Sequence, residues 1–417
     1  MDDIGVSRLD HDLDVRCRSG YPSDGTADIA SSSETVERAT ANAGLSVIGV
    51  GNLALSFKLA PVEPRPDVVI DWTGAALSSI GIIMLSAGFS FLNAWGFVRA
   101  NDSSPFDIAG LSPVIFQMIG GAVLVHAFFR WTRKRMDAGE PPLFSLDVLR
   151  SSKERSIVAC MSLMLFIGTA TSFLLPLYMQ VVQGYSGWKT SISIVPYTIS
   201  IFIANTLVSR LYDRFSPAQI TRVAFGFVFL ALTLIATTIS NNWGQVSIVV
   251  GLVVMGLAQG CIVALVFNKL LMSVDKGLAG DVGAFRGLTH NVSGSAGIAV
   301  ATALAVSTLG LFAVRDVASS TIFSDQLLQE VNLDNADFIT NDQLKGVLEG
   351  TSASPTEVDA AVEVLEDARL DSLQLTLMLL ASLAPLALVP AGGMPDFRKP
   401  DLTVEDDEGI ASGTRHT

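Results

Sequence analysis

The chain has 417 residues, 50% of them hydrophobic and only 16% charged, whereas soluble domains average roughly 25% charge. The shortfall fits burial in lipid and speaks against an ordinary soluble enzyme or binding domain. The formal net charge of -13 gives no ground for a nucleic-acid partner. The three cysteines, Cys17, Cys160 and Cys261, stand at no metal-ligand or disulfide spacing.

In chain order, residues 1–70 form a polar head. Residues 1–43 mix Asp, Ser, Arg, Thr and Ala without periodicity, which predicts disorder, and they lack the apolar core of a secretory signal. Gly44–Ala60 is apolar but short, and Asn52 and Lys58 interrupt it. It reads as an interfacial segment or a degraded helix, stopped by the prolines of Pro61–Pro66.

Eight membrane-length apolar runs follow: Gly74–Trp95, Leu111–Phe129, Ile157–Val181, Thr190–Tyr212, Val223–Ile239, Val246–Leu271, Gly283–Val314 and Leu370–Val389. A hydrocarbon core of ~30 Å takes about 20 helical residues. An all-α polytopic membrane protein with about eight transmembrane helices is expected, embedded in a lipid bilayer. Pro176, Pro196 and Pro385 are expected to kink their helices. Gly256-x-x-x-Gly260 and Gly283-x-x-x-Gly287 are expected to let helices approach closely.

Charge sets the expected orientation. Arg130, Arg133, Lys134, Arg135, Arg150, Lys153 and Arg155 follow the second run, and Arg210, Arg214 and Arg222 follow the fourth. Lys269, Lys276 and Arg286 join the sixth to the seventh, and Arg398 and Lys399 follow the eighth. Basic loops stay cytoplasmic, so both termini are expected inside a cytoplasmic membrane. The connection 315–369 is acidic, with Lys345 as its one internal base, and is expected outside. Val358, Ala361, Val362 and Leu365 give part of it helical spacing.

At the end of the fourth run stands Ser209-Arg210-Leu211-Tyr212-Asp213-Arg214-Phe215-Ser216-Pro217. An Asp-Arg pair in a short basic loop suits a gate whose contacts break as helices rock. The segment resembles the C-terminal copy of the loop signature of the major facilitator superfamily, with Ser209 and Ser216 in place of its usual glycines. Asp71-Trp72-Thr73-Gly74 resembles the opening of the extra helix pair in fourteen-helix drug–proton antiporters of that family. Phe173–Gln180 with Gln183–Ser186 resembles the start of the family's second six-helix bundle, and Gly283–Ala299 its penultimate helix.

The resemblance covers about residues 61–400 and implies a layout: a linker pair over 71–150, a C-terminal bundle over 151–395, and a tail over 396–417. It also implies a missing N-terminal six-helix bundle, from a truncated reading frame or a natural half-transporter with a partner or second copy. In this family the first, second, fourth and fifth helices of the bundle line the pathway. The matching runs here carry Gln180, Asn205, Gln259, Asn268, Arg286, His290 and Asn291, whereas Val223–Ile239 and Leu370–Val389 are almost wholly apolar. Such polar groups in lipid face a cavity or a neighbouring helix. His290 is the candidate proton carrier, since imidazole titrates near neutral pH. Arg286 either snorkels or draws an anionic substrate. The gate residues are Arg210, Asp213 and Arg214.

No phosphate loop, dinucleotide fingerprint or nucleophile elbow occurs, and no cofactor or metal is expected. The expected function is secondary transport, with proton-coupled export of drugs or other small organic molecules. The alternative is a non-transporting remnant, or a regulatory or half-transporter subunit.

Overall fold

A computed structural model describes residues 46–47, 49–57, 71–96, 98–100, 104–240, 246–272, 279–319, 322, 341–348, 350 and 353–394. The chain divides into two compact units, Met1–Val68 and Val69–Thr417. In the first, residues 46–47 and 49–56 are helical and exposed. The rest of the polar head, the tail 396–417 and the acidic stretch 323–340 lie outside the described residues.

The second unit is a succession of helices. They are α1 (Trp72–Trp95), α2 (Pro113–Asp137), α3 (Ser152–Val181), α4 (Gly187–Tyr212), α5 (Pro217–Thr238), α6 (Val246–Met272), α7 (Ala279–Ser319), α8 (Asn341–Leu348), α9 (Pro355–Leu383) and the short α10 (Leu388–Gly392). Among the described residues, β-structure is limited to isolated bridges around Leu111. Among the described residues, eight helices are long and apolar enough to cross a membrane, one for each apolar run. The protein is an all-α polytopic membrane protein.

Most of these helices start in polar sequence ahead of the apolar run. Ser151 and Glu154, Ser216 and Gln219, and Ser354 and Glu357 form capping boxes, each satisfying orphan amides of a first turn. Pro217 and Pro355 follow their caps at the first helical position, where no amide is needed. The capped start at Pro355 changes the expected acidic connection. α7 runs on to Ser319 and α9 begins at Pro355, so the helical spacing at 358–365 belongs to the last spanning helix. Within 315–369, only the stretch between these helices is a connection, and it contains α8.

Two prolines do not end their helices: Pro176 and Pro196 lie inside α3 and α4, which continue past them. Pro385 stands where α9 gives way to a 3₁₀ turn, Ala384–Ala387.

One apolar core runs through α3, α5, α6 and α9, with Met161, Met164, Phe225, Leu232, Met255 and Leu377 among its buried members. α4 joins it mainly through Tyr197, and α7 through Val282, Ala301 and Ala305. The opposite flank of α4 stays open, leaving Trp188, Ile192, Ile199 and Phe202 exposed. α1 and α2 pair with each other at glycines, where a Cβ on Gly121 would lie 2.9 Å from the Gly81 carbonyl. Phe128 of α2, Phe144 and Phe285 of α7 form an aromatic cluster joining this pair to the bundle.

The helix ends sort onto two sides. Asp71, ahead of α1, caps Gly74 and accepts from Trp131 Nε1 at 3.1 Å near the end of α2. Arg135 of α2 lies 3.8 Å from the same carboxylate. A Cβ on Gly74 would run into the Asp71 carboxylate, which explains the Asp-Trp-x-Gly pattern. Ser145 donates its amide to Asp281 at the start of α7, and Gly393 packs beside Ser156 of α3. These ends share the basic side with the α4–α5 loop. The acidic side holds the ends of α3 and α5, tied by Gln183 donating to the Ser240 carbonyl.

Candidate functional site

Close helix contacts set the geometry of the site. Gly256 of α6 lies against the Tyr197 carbonyl of α4, and a Cβ on Gly260 would lie 2.6 Å from Ala204. The first expected glycine pair therefore does bring helices together. The second does not: Gly283 and Gly287 have open space around them. The close contact of α7 with α3 falls farther along, where Gly297 sits against the Phe166 carbonyl and Thr169. Thr169 reaches the Gly294 carbonyl at 3.3 Å. The crowding that selects glycine comes from the α3 backbone and Thr169, which meet α7 at Gly294 and Gly297.

These contacts place Gln259 of α6 between α3 and α4. Tyr197 Oη donates to Gln259 Oε1 at 2.5 Å, and Ser172 Oγ lies 3.3 Å from the same Oη. Gly168 gives the amide its room, since a Cβ there would come within 2.6 Å of Gln259 Nε2. Tyr197 is buried, Gln259 is half-buried and Ser172 is exposed, so the chain of hydrogen bonds leads from the core to an open face. A cavity of about 10 Å³, lined by Ser172, Pro176, Ile194 and Tyr197, adjoins it. That is about the room for one water. Ser172 and Tyr197 are absent from the sequence-predicted set. A tyrosine in mid-span was the available signal, because its hydroxyl needs a partner once buried.

The other candidates are scattered along the four helices. Gln180, Asn205, Asn268, Arg286, His290 and Asn291 are exposed. Arg286 places its guanidinium 4.5 Å from the centre of the Phe267 ring of α6, a cation–π contact beside Asn268. Asn291 donates back to Gly287 in its own helix. The expected apolar helices α5 and α9 stand behind the other four. Their few polar groups tie helix to helix: Gln374 donates to the Ile239 carbonyl, and Ser372 bonds Thr308 and the Ala305 carbonyl.

The gate loop is fastened at its aromatic residue. Lys269 of α6 is buried, with its ammonium 4.4 Å from the centre of the Tyr212 ring. Arg210, Asp213 and Arg214 are exposed around this contact. Among the described residues, no cluster of metal-ligating side chains occurs.

At the acidic side lies a second polar centre. Arg369, which the sequence reading placed in the outer connection, is fully buried in α9. It donates to Asn341 Oδ1 at 2.6 Å, and Asn341 Nδ2 donates to Glu366 Oε1 at 2.5 Å. Asn341 opens α8, so this centre holds α8 against α9, with Leu344 packed beside Leu309 and Leu365.

The spanning helices cross at glycines, and polar side chains stand along four of them. The sequence pattern of the Major Facilitator Superfamily matches residues 38–298, and the chain belongs to that family. Its membership marks it as a transporter-family protein rather than an enzyme. It is 27% identical to the "Probable actinorhodin transporter" of Streptomyces coelicolor, over 66% of this chain and 45% of that protein. It is 26% identical to the tetracenomycin C resistance and export protein of Streptomyces glaucescens, over 55% of this chain and 41% of that one. The MFS-type transporter ppz2 of Metarhizium majus is 25% identical, over 46% and 31%. The chain thus spans less than half the length of these curated relatives.

Proposed function

We propose that this chain forms one wall of a proton-coupled exporter of small organic molecules. The observation that carries the reading is the Ser172–Tyr197–Gln259 chain, which joins three helices and ends on the exposed Ser172. A hydrogen-bonded amide and phenol within a spanning bundle orient a polar substrate group, and the exposed apolar residues of α4 supply the rest of a broad cavity. The opposite wall comes from a further helical bundle, whether in a longer chain, a partner or a second copy. α1, α2 and the 138–151 loop serve as a linker docked on α7.

Arg286, His290, Asn291, Gln180, Asn205 and Asn268 line the facing side of the pathway, and Arg210, Asp213 and Arg214 belong to its basic-side gate. The basic side faces the cytoplasm, in keeping with the positive-inside rule. Proton exchange is the driving reaction, and His290 is the residue to test as its carrier. Two relatives are named for actinorhodin and tetracenomycin C, which makes those compounds the first substrates to try.

The test uses everted vesicles containing the chain, alone and co-expressed with the N-terminal half of the actinorhodin relative. A pH gradient is imposed and its collapse on adding compound is followed. Collapse that requires the full chain and is lost in Gln259→Ala supports export. No collapse in either setting, with the chain correctly inserted, sinks the reading in favour of a non-transporting membrane protein.

A further inference from the structure

One cavity of the described structure lies apart from the Ser172–Tyr197–Gln259 chain. It is a groove of about 330 Å³ between α4 and α5, floored by α6. One wall carries Leu207, Leu211 and Phe215, the other Ile220, Val223, Ala224 and Phe227. Val254, Leu257, Ala258 and Cys261 form the floor. The spacings are helical on all three sides, so the groove is one apolar channel running along the helices. Gln259, the amide of the polar chain, projects from another face of α6 and does not line it.

Three features select the occupant. First, the rim residues Leu207, Phe215, Val223 and Phe227 are exposed, while Ala224, Ala258 and Cys261 beneath them are buried. The groove therefore opens sideways, toward lipid. Second, along α5 it reaches from Gln219 to Phe227, about 12 Å at ~1.5 Å per residue, which fits within one leaflet of a ~30 Å hydrocarbon core. Third, its mouth is cationic. Leu207, Arg210 and Leu211 fall at i, i+3 and i+4 on the face of α4 that forms the wall, and Arg214 stands in the turn that follows the helix. Both arginines are exposed, and between Ser209 and Arg222 three arginines stand against the single acid Asp213.

We infer that this groove is a binding site for an anionic phospholipid of the basic-side leaflet. One acyl chain lies between α4 and α5, and the phosphate headgroup meets Arg210 and Arg214. A basic mouth above an intramembrane cleft is the chemistry that recognises such headgroups. The occupied site would brace the gate loop, because Arg210 and Tyr212 close α4 and Arg214 stands in the turn after it.

The test reads lipid binding directly, so its outcome is independent of transport. The full chain, purified in detergent, is titrated with phosphatidylglycerol and with phosphatidylcholine, and bound lipid is counted by native mass spectrometry. The wild type is expected to hold one phosphatidylglycerol through activation that strips phosphatidylcholine. Arg210→Gln with Arg214→Gln is expected to weaken that binding about thirtyfold, at roughly fivefold per surface arginine. Ala224→Trp, which fills the groove, is expected to abolish it, and Ala224→Leu is the milder version should tryptophan impair folding. Equal retention of both lipids would mean an ordinary lipid belt and overturns the site. Loss in the arginine variant alone overturns the groove, and loss in the filled variants alone overturns headgroup recognition.

Discussion

The two polar centres of this protein differ in how they are closed. Arg369, Asn341 and Glu366 sit at the acidic side, with the arginine wholly removed from solvent and its partners supplied by α8 and its own helix. Ser172, Tyr197 and Gln259 use comparable hydrogen bonds, yet the chain ends on an exposed serine at an open face. The comparison teaches that a polar group inside a membrane protein is not by itself a pathway. A sealed centre fastens one element to another, whereas an open one keeps a polar group within reach of the surface.

Breaking the sealed centre has the largest expected effect on stability. Arg369→Ala removes the donor to Asn341 Oδ1 and empties a fully buried site, and truncating a large buried side chain to alanine costs about 2–5 kcal/mol. The thermal midpoint in detergent should fall accordingly. Limited proteolysis should begin near Asn341–Leu348, because α8 loses its tether. An unchanged midpoint with α8 still protected would show that the apolar contacts of Leu344 hold that helix alone.

Next come the crossings that hold the open face in place. Gly297→Leu drives a side chain into Phe166 and Thr169 of α3, and overpacking of this kind costs about 1–3 kcal/mol. Gly283→Ala, in the same helix, meets empty space and should gain up to ~1 kcal/mol from helix propensity. Opposite signs for two glycines of one helix, measured as detergent melting midpoints, would locate the α3–α7 contact. Equal destabilisation would contradict that location.

Tyr197→Phe removes one hydroxyl and two hydrogen bonds while keeping the ring in the core. The stability loss should stay near ~1 kcal/mol per bond, well below that of Arg369→Ala. Compound-driven proton movement in vesicles should fall much further than the melting point suggests. A parallel loss of both would move this centre into the sealed class.

Much of this arrangement was legible in the chain. The eight apolar runs stood out because a bilayer demands about 20 residues per helix, and few other demands produce that length. Helix starts were less legible, because Ser151, Ser216 and Ser354 act through caps that lie outside the apolar runs. That is why Arg369 looked like loop: the apolar run begins at Leu370, but the capped helix begins at Pro355. Gln259 could be singled out as an amide in lipid, whereas Tyr197 and Ser172 blended into an apolar span. Gly283-x-x-x-Gly287 carried the right spacing but no neighbour, since spacing shows what a helix can accept and not where another helix passes.

The smallest effect sharpens the comparison most. His290 is exposed on α7, one turn beyond Arg286, on the side of the molecule left open by the bundle. Exposed substitutions away from packed or bonded groups stay within about 0.5 kcal/mol, so His290→Gln should leave the melting midpoint where it is. The glutamine keeps the polarity and removes the titration, which separates proton carriage from simple hydrogen bonding. If the midpoint falls instead by as much as for Tyr197→Phe, His290 is packed by the bundle and belongs with Arg369. If it holds, His290 is an unpacked surface position, and any loss of compound-driven proton movement in the same variant belongs to the imidazole rather than to the fold.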